Sequence, residues 1–150
     1  MAAEYVSYMI TVALGMVMLV LFVALFAGIN HDLTVFIGQD NLKNIAQETS
    51  DFIEEFAYLI DKDPNLTESF FQIDLPQSVV RLTYVIKITE GNILQAYCPG
   101  KPEINVTVEI LIPTNFIVQG EFSSAYDIHR VSYTPPGGPG DPYVLTLESK

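Results

Sequence analysis

The chain has 150 residues, 18 acidic against 7 basic side chains and a formal net charge of −11. An acidic surface without clustered Lys and Arg excludes phosphate-backbone recognition, and with it nucleic-acid binding. A single cysteine, Cys98, excludes an intramolecular disulfide, so the folded part must hold together by packing.

The first 42 residues contain no Lys or Arg. From Val6 to Ile29 the only polar groups are Ser7, Thr11 and the hydroxyl of Tyr8, a run long enough for the ~20 residues that cross a hydrocarbon core of ~30 Å. Met1-Ala2-Ala3-Glu4-Tyr5 lacks the basic n-region and small-residue cleavage site of a secretory signal. An unprocessed anchor would also carry Lys or Arg on a flank. The simplest expectation is a short basic leader already removed before this segment. Glu4 supports it, because a carboxylate at the edge of an apolar helix is costly unless paired, and the nearest cation would be the α-amino group of residue 1 on the same chain or a neighbour.

A glutamate close to a mature terminus, followed by an uninterrupted apolar helix, resembles the type IV pilins. Ala3-Glu4-Tyr5-Val6 is most similar to their archaeal branch, with its class III signal peptides. The Phe-Thr-Leu-Ile-Glu start and the helix proline of bacterial pilins are both absent. The resemblance implies assembly through the apolar helix, with Glu4, Tyr5, Gly15, Phe22 and Phe26 as contact residues. It further implies a bilayer location before assembly, and a prepilin peptidase and pilus assembly machinery as partners. Gly15 reads as a place of close helix-to-helix approach, the alternative being a functional kink. His31 reads as an interfacial or subunit-contact residue.

Beyond Asn30-His31-Asp32, apolar residues at Leu42, Ile45, Ala46, Phe52, Ile53, Phe56, Leu59 and Ile60 fall on one stripe of a 3.6-residue period, predicting an amphipathic helix. Glu48, Asp51, Glu54 and Glu55 lie outside it. One helix from near Ala2 to Ile60 would be ~85 Å long, with Gly38 the expected break. This divides the chain into an apolar helix over 1–30, an amphipathic helix over 31–61 and an extracellular β domain over 68–150.

After Asp61-Lys62-Asp63-Pro64-Asn65, which should end the helix, the period changes to two. Strands are predicted at Phe70–Leu75, Val79–Thr89, Ile93–Cys98, Ile104–Ile112, Phe116–Phe122, Ala125–Tyr133 and Tyr143–Glu148, with Glu90-Gly91-Asn92 as a hairpin connection. The fold class is therefore α+β: a long helix followed by a small antiparallel sandwich-like domain of about seven strands. Thr134 to Pro142 is too rich in Pro and Gly for a strand and reads as an exposed loop.

Asn65-Leu66-Thr67 and Asn105-Val106-Thr107 are glycosylation sequons. Asp61, Asp63 and Asn65 have the spacing that opens a calcium loop, but Leu66 stands where such a loop needs Gly and Gln72 where it needs Glu, so a helix-ending turn is the better reading. Cys98 and His129 lack an orienting partner for thiol chemistry. The expectation is no catalytic site, no metal and no cofactor. Two functions fit: a filament subunit assembled by residues 1–30 with its β domain exposed for adhesion, or a monotopic envelope-binding protein of the archaellum stator type.

Overall fold

A computed structural model describes residues 2–63, 69–89, 92–138 and 140–150, with the backbone alone at 2–4 and 69. Helix α1 spans Ala2–Lys62. Seven strands follow: β1 (Ser69–Ile73), β2 (Val85–Thr89), β3 (Ile93–Cys98), β4 (Lys101–Glu109), β5 (Phe116–Ser123), β6 (His129–Thr134) and β7 (Tyr143–Ser149). The chain divides into two compact units, Met1–Phe36 and Ile37–Lys150.

In the second unit α1 buries Leu42, Ile45, Ala46, Ile53, Phe56, Ala57 and Ile60 at spacings of three and four, the geometry that keeps side chains on one helix face. Thr49 and Ser50 are buried in the same stripe. The Thr49 hydroxyl donates to the Ile45 carbonyl at 2.8 Å, which removes the penalty of an unpaired buried polar group. Leu59, expected in the stripe, is about half exposed, and Phe52 is half-buried.

Gly38 does not break the helix. It is buried, and a Cβ there would stand 2.6 Å from Ile104 Cδ1, so its missing side chain lets β4 approach the helix closely. The ~1 kcal/mol that glycine costs a helix is offset by burial of Ile104, which has no exposed surface. Farther along, Gln39 Nε2 donates to the Glu103 carbonyl (2.8 Å), Ser50 Oγ to the Glu109 carbonyl (3.4 Å), and Glu54 Oε1 accepts the Leu111 N–H at 2.8 Å. The outer edge of β4 thus meets the polar flank of α1.

The strands form one sheet in the order β1-β6-β7-β5-β2-β3-β4. All pairs are antiparallel except β5 with β7. The exception arises because β7 returns from the Pro- and Gly-rich loop to insert between β5 and β6. Strand β5 serves two neighbours: Phe116 to Gly120 pair with β7, whereas Glu121 to Ser123 pair with β2. Gly120, with φ at 99°, sits at the handover.

The predicted strand Val79–Thr89 is the main local correction, because only its last five residues are a strand. Val79 and Leu82 exchange two backbone hydrogen bonds of 2.9 Å around Val80 (φ 50°) and Arg81 (φ 63°). Positive φ at both central residues defines a type I′ turn, which normally announces itself with Asn-Gly. Alternation through these residues therefore gave no warning. Strand β6 begins at His129 rather than Ala125, since residues 124–128 form a turn, and β4 begins earlier, at Lys101. The described part of the Thr134 to Pro142 loop continues β6 by one residue and then carries no strand. Glu90 and Gly91 of the expected connection lie outside the described residues, and β2 and β3 pair antiparallel as far as Thr89↔Ile93.

Candidate assembly surface

In the first unit the described side chains of the helix are almost all exposed. Tyr5 is 67% exposed, Phe22 59% and Phe26 62%, and a Cβ at Gly15 or Gly28 would meet nothing within 4 Å. From Tyr5 to Phe36, twenty large apolar side chains are exposed. Burial of each is worth ~1.5 kcal/mol at the low end, or on the order of 30 kcal/mol together, several times a domain's folding stability of ~5–15 kcal/mol. Such a surface does not persist in water. Lipid or other protein must cover it.

Two threonine hydroxyls of this surface do not oppose such cover. Thr11 Oγ1 donates to the Ser7 carbonyl at 2.9 Å and Thr34 Oγ1 to the Asn30 carbonyl at 2.7 Å, so these donors are satisfied within the helix and can enter an apolar medium without breaking a bond to water. The helix is long and apolar enough to cross a membrane, with none of its most apolar stretch buried in the chain. Leu33 (51% exposed) and Phe36 (68%) extend the uncovered surface past Asn30-His31-Asp32. Sequence reading passed over them, although they continue the spacing of Phe22, Phe26 and Ile29 at intervals of three and four. His31 is exposed in this region. The side chain of Glu4 lies outside the described residues, and its backbone is helical.

The other sequence-derived sites fall in the second unit. Asn105 is exposed on β4, with Gln95 Nε2 3.4 Å from its Oδ1. Asn65 lies outside the described residues, as does Leu66 of the calcium-like run. Asp61 Oδ1 accepts a 3.5 Å hydrogen bond from Asn115 Nδ2 instead. Among the described residues, no group of three or more His, Cys, Asp or Glu side chains is arranged to hold a metal ion. Cys98 and His129 are not brought together: β2, β5 and β7 separate their strands in the sheet. His129 is buried with Nε2 3.0 Å from the Ser123 carbonyl and its ring edge-on to Phe122 at 5.6 Å.

Burial raises the Cys98 thiol above its usual range, the opposite of what a nucleophile or metal ligand requires. It also pushes Tyr84 up to about 12, with Cys98 beside it adding to the shift. The Tyr84 hydroxyl donates to the Pro76 carbonyl at 2.6 Å, and that bond requires the neutral phenol. A tyrosine of the unfolded chain ionises near pH 10 while the folded one holds its proton, so the native state binds more protons between about pH 10 and 12. This stability is complete below pH 10 and is lost as pH rises through about 12, a total near 3 kcal/mol. Burial raises Tyr133 in the same direction, with Tyr143 nearby contributing. Denaturant titrations at stepped pH are expected to show an alkaline loss of stability that Tyr84→Phe makes markedly shallower. An unchanged slope in that variant would refute the assignment.

No protein-family model, curated protein or solved structure matches this chain. Its architecture, a long apolar N-terminal helix leading into a seven-stranded mostly antiparallel sheet, is pilin-like.

Proposed function

We propose that this chain is the structural subunit of an extracellular filament of the archaeal type IV pilus kind. The observation that carries the reading is the uncovered apolar surface of α1 from Tyr5 to Phe36, joined in one chain to a domain that has its own core. A bilayer covers such a helix before assembly, and equivalent helices of neighbouring copies cover it afterwards. Exchanging lipid for similar side chains releases little hydrophobic energy, so tight packing, helped by Gly15 and Gly28, and an external assembly machinery must drive extraction. In this scheme Glu4 pairs with the terminal amine of a neighbouring copy, and a prepilin peptidase exposes that amine. The role is structural rather than catalytic and needs no cofactor. The β domains face outward for adhesion, with Asn105 presented for glycosylation and the Asn65 sequon as a second acceptor.

The test is microscopy and mass spectrometry of sheared, detergent-free surface material from cells making the full chain. A regular helical polymer containing this protein is expected, with added sugar on the Asn105 or Asn65 peptide. Glu4→Ala should reduce filament yield while leaving the chain in membranes. If sheared material lacks the protein and the intact chain is recovered only in detergent-extracted membranes, the filament reading fails and an envelope-binding anchor of the stator type takes its place.

A further inference from the structure

A cleft of ≈ 320 Å³ opens between the second half of α1 and the segment leading into the type I′ turn, lined by Asn41, Asn44, Ile45, Glu48, Pro76, Ser78 and Val79. Asn41, Asn44 and Glu48 are spaced by three and four, so the helix presents two carboxamides and a carboxylate in one row. Ser78 adds a hydroxyl from the opposite wall. All four side chains are exposed, and among the described residues none has a protein hydrogen-bond partner, so each is free to meet a ligand, whereas their helix neighbours Gln39 and Gln47 are engaged with Glu103 and Asp51. The apolar side chains Ile45 and Val79, both buried, form the floor with Pro76.

The wall opposite the helix is held at both ends. Tyr84 donates to the Pro76 carbonyl at one end, and the reciprocal Val79–Leu82 bonds fix the other. Holding it requires Val80 and Arg81 at positive φ, a conformation that costs ~1–2 kcal/mol per non-glycine residue and is rare for a β-branched side chain. Backbone strain kept beside a cleft is a mark of a preorganised site.

We propose that this cleft binds one ring of a neutral sugar. Its volume lies at the lower end of the ~300–1,000 Å³ of small-ligand sites. Carboxamides both donate and accept, a carboxylate only accepts, and a hydroxyl does either, which matches the mixed donor and acceptor character of adjacent sugar hydroxyls. Pro76, the exposed apolar side chain of the lining, suits the C–H face of the ring. Among the described residues Glu48 is the only ionisable one in the lining, and it disfavours anionic ligands. This inference is independent of filament assembly, because every lining residue belongs to the second unit.

Saturation-transfer NMR on the full chain, in a detergent without a sugar headgroup, tests it with glucose, galactose, mannose and N-acetylglucosamine as probes. At least one should receive saturation on its ring protons, with weak, millimolar binding. Asn44→Ala and Glu48→Gln, both exposed substitutions, should each reduce the effect about fivefold or more without changing the thermal melt, and Lys62→Ala should leave it intact. No transfer to any of the four sugars, or equal transfer in all variants, overturns the proposal. So does a concentration-dependent oligomer that Glu48→Gln abolishes without any sugar signal, which would assign the cleft to a second copy.

Discussion

Deleting residues 1–36 is expected to turn a chain that partitions into detergent into a soluble monomer that still unfolds cooperatively. The apolar surface driving that partition, worth on the order of 30 kcal/mol, lies in the deleted segment. The retained unit keeps every contact of its core: Leu42, Ile53, Phe56 and Ile60 on the helix and Tyr84, Ile86, Leu94, Ile104, Phe122, Val131 and Leu145 on the sheet side are all fully buried or nearly so. Beginning at Ile37 exposes only a new helix end, whose first turn lacks intrahelical acceptors and frays at a cost of ~1 kcal/mol. Sedimentation and circular dichroism check both halves of the expectation. A truncated protein that pellets, or melts without a cooperative transition, would show that the first 36 residues contribute to the fold itself.

Gly120→Val should produce the largest loss of stability of any single substitution considered. At φ 99° the backbone is in a region reserved for glycine, and a Cβ would run into the Leu147 carbonyl oxygen, with the Leu147 nitrogen also only 3.0 Å away. Neither obstacle is a flexible side chain, because both belong to the β7 backbone that pairs with β5 there. Conformational strain of ~1–3 kcal/mol and overpacking of ~1–3 kcal/mol together remove about 4 kcal/mol. Gly140→Ala is the internal comparison: its φ is 97°, but a Cβ there meets nothing within 4 Å. That variant should lose only the strain component. Denaturant midpoints for the two variants check the difference, and equal losses would remove the steric part of the argument.

Elements dominated by local periodicity were legible in the sequence. Alternation located all seven strands, and the 3.6-residue stripe found the buried face of α1 at Leu42, Ile45, Ala46, Ile53, Phe56 and Ile60. What escaped depends on partners distant in sequence. Gly38 looked like a helix breaker because its reason, Ile104, lies on another element. Ser50, a polar residue absent from the predicted stripe, is buried where its hydroxyl reaches the Glu109 carbonyl. The parallel β5–β7 pair follows from where β7 inserts, which no window of residues records. Val80-Arg81 has none of the residues that mark a turn, so a strained connection read as uninterrupted strand. For the candidate assembly surface, the resemblance pointed to Tyr5, Gly15, Phe22 and Phe26, but Leu33 and Phe36 were overlooked because the polar Asn30-His31-Asp32 interval was taken as the end of the apolar run.

The hydrogen bonds that Gln39 and Ser50 donate to β4, and the one that Glu54 accepts just beyond it, bear on how this domain meets other chains. An end strand with unpaired amides and carbonyls is a template for adding a strand from another molecule, and that addition can repeat without limit. Here the template is occupied at Glu103 and Glu109, and just past its end at Leu111, by side chains of the chain's own helix. An incoming strand would have to displace them. One margin of the sheet is therefore partly guarded by the chain's own helix against the addition of a foreign strand.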